Sequence, residues 1–473
     1  MPDSFSHPHA GTSSIAPATA CERDLTPWIL LLWLAVQVAM WPAALSFGDE
    51  IGYLGQAKIL LSGRIVPEPA DPGIWLLGPK GLTGRYPLSF PLLIAPLIAM
   101  TPRAVFLAGV VPALALAWWA SRVLKSWGRA PVWGAILLAH PTIVLIARTA
   151  MTDVLFSACA VGSWLALRRG RPAITLLAFF ALTCIKPHGF LLGGALIAGE
   201  ALRALPSIRR GARSEWLRLA IPSIGVVAGS LLLLGFNLLN TGSLRGGYEL
   251  ELPPGISQFS LRNLPHNAWS FAQGLLLAPP LLVLGIVPLW KRREYGVVAC
   301  VLGLGGLMSM YWFVDWGRNA LETMVLAPRL ILPVVSMLLV GYADLLAGVS
   351  LRRPISARLA GVAVASVVLL AASAISAVHA RWQRPAAAGL AAAAAVAART
   401  PRRELALTPA ARKAGLLYDG STVNFDPKDR RASVVLCSTV SDSHRLDKTH
   451  FDCEYPGYRV ATQAGGFKVL VAN

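Results

Sequence analysis

Residues 26–66 read TPWILLLWLAVQVAMWPAALSFGDEIGYLGQAKILLSGRIV. The apolar run 28–45 is long enough to cross a bilayer core of roughly 30 Å at about 1.5 Å per residue. It is too long, and too far from the N-terminus, for a typical cleaved signal peptide, so it is expected to remain as a first membrane span. Two adjacent carboxylates, Asp49 and Glu50, follow it directly. The stretch after them is amphipathic enough to lie along the membrane surface. A carboxylate there can act as a general base for an acceptor hydroxyl or amine. A solvated helix-end pair, or an N-cap, is the alternative.

The rest of the chain extends this pattern. Of 473 residues, 55% are hydrophobic and 14% charged, against about 25% charged in soluble domains. Further apolar segments fall at 88–101, 104–121, 131–147, 153–167, 172–185, 189–202, 219–239, 267–290, 295–314, 328–348 and 357–380. This excludes a soluble enzyme, an outer-membrane barrel and a disordered protein, and predicts a mainly α, polytopic bundle of transmembrane helices. The formal charge of +19 does not point to nucleic acid, because arginines gather in short clusters between apolar segments, at 122–129, 168–171, 203–213, 291–293 and 351–354. Loops facing the cytoplasm have this character.

Keeping every cluster inside gives about eleven net crossings, a cytoplasmic N-terminus, outer loops at 46–87 and 240–266, and an outer C-terminus. Segment 88–121 must then cross once, and Pro96 and Pro102 are expected to break it into a re-entrant or interfacial piece and a true span. The same threading sends Asp49, Glu50, Arg85, Asp153, Lys186, Arg329 and most other ionisable residues to the outer surface. Such groups at membrane depth are costly and mark a site.

Several stretches supply candidates. GPKGLTGRYPLSFPLLIAPL (78–97) carries Lys80, Arg85 and Tyr86 ahead of a return into the membrane; cations there can grip a lipid phosphate, or merely anchor the interface. HPTIVLIARTAMTDVLFSA (140–158) puts Arg148 and Asp153 at one outer turn, as an ion pair, a second active-site acid, or both. CIKPHGFLLGG (184–194) sets Lys186 and His188 at the tip of two short helices. A charged tip suits a cavity lining and anion binding, and a lone His is a metal ligand only as the minor reading. FNLLNTGSLRGGYELELPPG (236–255) holds Asn237, Asn240, Arg245 and Tyr248, and YWFVDWGRNALETMVLAPRLILPVVS (311–336) holds Asp315, Arg318 and Arg329.

Residues 1–26 read as a disordered cytoplasmic tail, 27–384 as the membrane domain and 385–473 as a periplasmic module. The Ala-rich stretch 386–398 has helix propensity but little bulk. Residues 400–473 are polar, with strand-like runs at 433–437 and 467–472, and read as a small α/β unit. Cys437 and Cys453 suit a disulfide if that unit lies in an oxidising compartment. No G-x-x-x-x-G-K-[ST], G-x-S-x-G, H-E-x-x-H or C-x-x-C motif occurs, and no internal repeat of the kind many transporters show.

In order, GDEIGYL, the YPL–FPLL re-entry (86–93), the P–R–D segment (141–153), IKPHG, the N–GS–GY stretch (237–248) and APR–LP (327–333) resemble the GT-C superfamily of integral-membrane glycosyltransferases over roughly 28–348. The nearest branches are protein O-mannosyltransferases, lipid A aminoarabinose transferases and related bacterial sugar transferases. The resemblance implies an inverting transfer of sugar from a polyprenyl-phosphate carrier to a glycolipid, polysaccharide or protein acceptor, on the periplasmic side of a bacterial inner membrane. It makes Asp49 the base and Asp153 a second acid, with Glu50 beside them. Lys80 or Arg85, Lys186 and Arg329 become contacts for the departing phosphate; beside what the resemblance implies, Tyr86, Arg148, His188, Tyr248 and Arg318 are candidate substrate contacts by their place in the outer segments. A monophosphate leaving group needs no metal; a divalent ion is left open. The sequon-binding W-W-D signature of oligosaccharyltransferases is absent. The competing readings are a transporter or flippase of lipid-linked sugars and an O-antigen-ligase-like transferase, for which Arg318 and His266 would be the key pair.

Overall fold

The computed structural model describes residues 24–79, 81–210, 212–244, 246–250, 257–312, 320–352, 357–400, 403–426, 433–439 and 453–473. Lys80, Arg245, Glu251, Asp315, Arg318 and nearly all of the 1–26 tail lie outside these residues, as do the side chains of Tyr248 and Glu249.

The helices are α1 Thr26–Ala39, α2 Gly48–Leu61, α3 Ser89–Met100, α4 Leu107–Ser126, α5 Pro141–Ala147, α6 Thr152–Arg169, α7 Pro172–Ile185, α8 Gly189–Arg209 and α9 Arg213–Thr241. They continue with α10 Gly247–Leu250, α11 Leu264–Leu277, α12 Ile286–Lys291, α13 Tyr295–Ser309, α14 Ala320–Leu326, α15 Leu332–Arg352, α16 Ala357–Ala397 and α17 Arg412–Gly415. Among the described residues, five segments are long and apolar enough to cross a membrane: Pro102–Ser126, Gly189–Arg209, Ser214–Thr241, Glu322–Val349 and Arg358–Ala397. The α5–α6 pair, bent by 117°, adds a sixth if it counts as one span, and α1, α3, α7, Leu282–Lys291 and α13 are shorter apolar helices. The chain is a multi-pass membrane protein.

Prolines decide where the apolar segments break. Segment 88–121 divides at Thr101, which is extended before Pro102, as the crowding of a pre-proline residue requires. Pro96 does not break the chain; it sits inside α3, where packing between helices tolerates it. Segment 131–147 is not one helix. A 3-10 helix covers Pro131–Ala139, His140 is extended before Pro141, and α5 begins there. Segment 267–290 likewise divides after α11, at Ala278 before Pro279.

Helix packing uses small residues, since lipid offers no hydrophobic drive between spans. Gly225 and Gly229 form a G-x-x-x-G stripe on α9 facing α7; a Cβ at Gly225 would come within 2.6 Å of the Leu176 carbonyl oxygen. Gly199 of α8 meets Gly296 of α13 at comparable range.

Loop 46–87 holds α2 and a hairpin of β1 (Trp75–Gly78) and β2 (Gly81–Gly84). At the C-terminus, β3 (Glu404–Leu407), β4 (Ser421–Asn424), β5 (Val434–Ser438), β6 (Tyr458–Ala464) and β7 (Phe467–Ala472) form a mixed sheet in the order β4-β3-β5-β7-β6. The turn from β6 to β7 is Gly465-Gly466, both at positive φ, as a tight hairpin prefers. β5 is buried throughout, as a central strand must be, and Cys437 and Cys453 are disulfide-bonded.

One helix joins bundle and sheet. α16 has 41 residues, about 60 Å, twice the thickness of a bilayer core. Its first part packs on α1 and α5, and its Ala-rich end covers the sheet, with Gly389 pressed against the Phe467 ring. The absence of bulk at 386–398 is what lets helix and sheet approach.

Candidate active site

Asp49 lies in the first turn of α2. Its Oδ1 accepts a 2.7 Å hydrogen bond from the Tyr86 hydroxyl and lies 3.5 Å from an Arg85 guanidinium nitrogen. Its Oδ2 accepts from Arg329 at 3.2 Å. The Asp49 side chain is 22% exposed and that of Arg329 only 6%, so the carboxylate is the part of the cluster that reaches the surface. Arg329 also stacks over Phe47, with its guanidinium carbon 5.1 Å from the ring centre. Three separate pieces of sequence therefore meet here: α2 with Phe47 just before it, the end of the β1–β2 hairpin, and the short 3-10 helix Ala327–Ile331 that leads into α15.

Asn240, near the end of α9, holds this arrangement from beneath. Its amide nitrogen donates to the backbone oxygens of Gly84 and Tyr86, and its amide oxygen accepts from Gly84 N and the Thr83 hydroxyl. It is buried, and it sets the backbone on either side of Arg85. Gly247 of α10 closes over the same place, where a Cβ would lie 2.5 Å from the Arg85 carbonyl oxygen. α10 also carries Tyr248.

Glu50 points the other way. It is fully buried, and it accepts backbone N–H bonds from Ser46 (2.6 Å), Phe47 (2.8 Å) and Ala150 (2.7 Å). It thus caps α2 and ties it to the turn before α6. Burial pushes its pKa up to about 7, opposed by the Ala150, Phe47 and Ser46 N–H groups and by the charge of Lys413.

Asp153 opens α6 and pairs with Lys186 at 2.7 Å. The Asp153 side chain is 4% exposed, and its Oδ2 is buried with no hydrogen-bond partner. Lys186 stands between α7 and α8 and is 21% exposed. Tyr53 links this pair to the first cluster: its hydroxyl meets the Thr152 hydroxyl at 3.3 Å, and its ring stacks on Tyr86 with centres 4.2 Å apart. His188 lies beside Lys186; burial, with the Lys186 charge, lowers it to about 4, so it is a neutral imidazole at ordinary pH. No group of three His, Cys, Asp or Glu side chains able to hold a metal occurs among the described residues.

Arg148 does not pair with Asp153. It is fully buried and donates to His379 of α16 (3.1 Å), to Gln37 of α1 (3.0 Å) and to the Met40 carbonyl oxygen. The guanidinium has five donors to place, and α16 and the C-terminal end of α1 share them. His379 in turn meets the Ser46 hydroxyl at 2.5 Å, and Gln383 bonds the backbone of Ala43 and Ala44. Ser376, His379 and Gln383 lie on α16 at spacings of three and four; that spacing was the available signal for these positioning residues, and it is a modest one. The C-terminal module reaches the same loop: Asn424 bonds the backbone of Pro69, Ala70 and Asp71, Arg412 bonds the Gly73 oxygen, and Lys58 of α2 donates to Thr422.

In sequence, no protein-family model matches the chain, and no curated protein matches it. In structure, it is similar to a crystal structure of ArnT from Cupriavidus metallidurans bound to undecaprenyl phosphate, with a TM-score of 0.58 and 13% identity, over 94% of this chain and 98% of that one. It is similar also to ArnT from Cupriavidus metallidurans in the apo state, with a TM-score of 0.55 and 14% identity, over 95% and 98%. These likenesses show that the chain shares the fold of ArnT.

Proposed function

We propose that this chain is an inverting glycosyltransferase that moves a sugar from a polyprenyl-phosphate carrier to an acceptor on the periplasmic side of the inner membrane. The observation that carries this reading is the Asp49 cluster: a partly exposed carboxylate held between the guanidiniums of Arg85 and Arg329 and the hydroxyl of Tyr86. The fold shared with a protein captured on undecaprenyl phosphate supports the choice of donor.

In this mechanism the donor phosphate takes the guanidiniums of Arg85 and Arg329, whose forks match its oxygens. The Asp49 carboxylate, freed of part of its pairing, accepts the proton of the acceptor hydroxyl or amine. That nucleophile attacks the anomeric carbon on the face away from the phosphate. The bond from carbon to phosphate oxygen breaks, and its electron pair leaves with the lipid phosphate. Negative charge grows on those oxygens, where fixed cations stabilise it without reorganisation. Lys186, braced by Asp153 on a buried floor, is a further cation for the same charge. Glu50 acts as the clamp that fixes the start of α2.

The test compares wild type with Asp49→Asn in membranes supplied with radiolabelled polyprenyl-phosphate sugars. Release of polyprenyl phosphate and labelling of an acceptor by wild type alone would support the reading, and the labelled product would identify the acceptor. Undiminished transfer by Asp49→Asn would remove Asp49 as base. Passage of intact lipid-linked sugar across proteoliposomes, with no donor consumed, would sink the transferase and favour a transporter.

A further inference from the structure

Helices α6, α8 and α9 each run from the Asp49–Lys186 end of the bundle to the opposite end. There, with the end of α12, they enclose a pocket of about 310 Å³, lined by Arg168, Arg203, Arg218 and Arg292 together with Glu200, Glu215 and Ser207. The carboxylates around it are spent on its walls. Glu294 pairs with Arg168 and, at 2.6 Å, with Arg203; Glu200 pairs with Arg203 at 2.9 Å and Arg218 at 2.7 Å; Asp344 pairs with Arg292 at 2.8 Å. Their side chains are only 1%, 3% and 7% exposed, whereas the four arginines are 25–37% exposed. These three carboxylates thus lie on the floor; Glu215, 24% exposed and 3.7 Å from Arg218, stands at the rim, against four outward-facing arginines.

Beyond the walls the excess grows. The ends of α6, α8 and α12 and the residue before α7 add Arg169, Arg209, Arg210, Lys291, Arg293 and Arg171. Exposed apolar side chains stand beside the pocket as well: Leu202, Leu205, Trp216, Leu217 and Trp290. Tryptophans in such places mark the headgroup level of a membrane. Basic pockets between the ends of spanning helices suit phosphate headgroups, and the neighbouring Leu and Trp side chains suit the acyl chains that a soluble anion would lack.

We propose that this pocket binds the phosphate headgroup of an anionic lipid, in the leaflet opposite the Asp49 cluster. The site is independent of the transferase reading.

The test titrates the full chain in detergent with phosphatidylglycerol, phosphatidylcholine or inorganic phosphate, counting bound lipid by native mass spectrometry. Two variants accompany wild type. Ser207→Asp puts a negative charge in the pocket while keeping every wall ion pair, and Arg218→Gln removes the most exposed wall cation. Wild type is expected to bind phosphatidylglycerol about tenfold more tightly than phosphatidylcholine, and each variant to lose roughly that factor. Ser207→Asp decides alone if Arg218→Gln does not fold. Equal binding of the two lipids by wild type, or unchanged phosphatidylglycerol binding by Ser207→Asp, would overturn the site. Displacement of phosphatidylglycerol by equimolar inorganic phosphate would overturn its assignment to a lipid.

Discussion

The Lys186–Asp153 pair allows stability and function to be separated. At 2.7 Å, with Asp153 4% exposed, the gross attraction is roughly 6 kcal/mol at an effective dielectric of about 20. Desolvation offsets much of that, so the pair itself adds little net stability. Removing one partner is different. Lys186→Met leaves a buried carboxylate uncompensated, with its Oδ2 already lacking a partner, and is expected to cost about 3–5 kcal/mol. Asp153→Asn is milder, because its amide oxygen still accepts from Lys186. The double variant Asp153→Asn with Lys186→Met removes both charges and is expected to recover most of the loss. Unfolding in mixed micelles would give the double-mutant cycle, and sugar transfer from polyprenyl phosphate would be assayed on the same samples. Stability recovered while transfer stays at least tenfold down is the expected pattern. If the double variant recovers both, the lysine does not act on substrate. If Lys186→Met alone costs under about 1 kcal/mol, the pair is not buried as described.

Three further outcomes are expected. The Glu50 pKa stands at about 7 in the folded chain against about 4.3 unfolded, so the native state holds the extra proton between those values and stability falls as pH rises through that window; Glu50→Gln should flatten this part of a stability–pH curve, and an unchanged slope would contradict the burial argument. Asn240→Ala removes the bonds beneath Arg85 and should cost about 1–3 kcal/mol, raising the KM for donor more than it lowers kcat; an unaltered KM would separate Asn240 from the site. Replacing Cys437 and Cys453 with Ser opens a 16-residue link and should cost the sheet about 3 kcal/mol, visible as faster proteolysis of the C-terminal module before any change in the bundle.

Long apolar runs and arginine clusters were enough to read a polytopic bundle, because bilayer thickness constrains any spanning helix in the same way. The acidic pair and the K-P-H tip were legible for a related reason: charge beside apolar sequence is costly, so its position is informative. Direction was not legible. Asp49 and Glu50 are neighbours in sequence, yet one reaches the surface between two arginines while the other is sealed beneath three backbone N–H groups. Arg148 and Asp153 were close enough in sequence to suggest a pair, but α5 and α6 meet at 117°, and each found a partner from a distant element. Those partners, His379 and Lys186, could be connected only by the fold. The arginines read as topology markers also proved to be organised into paired walls, which depends on three buried acids spread from Glu200 to Asp344.

α16 has a mechanical consequence. Because the helix is continuous from the Arg148 contact at His379 to the sheet contact at Gly389, the bundle and the module share one torsional phase. Inserting a single residue between Gln383 and Leu390 would rotate the sheet by about 100° about the helix axis, carrying Asn424 and Arg412 away from loop 69–73. Seven residues would nearly restore the angle but lift the sheet about 10 Å. No insertion meets both requirements, so the module cannot be exchanged at this junction as a detachable domain, and any transplant has to preserve helix length to the residue.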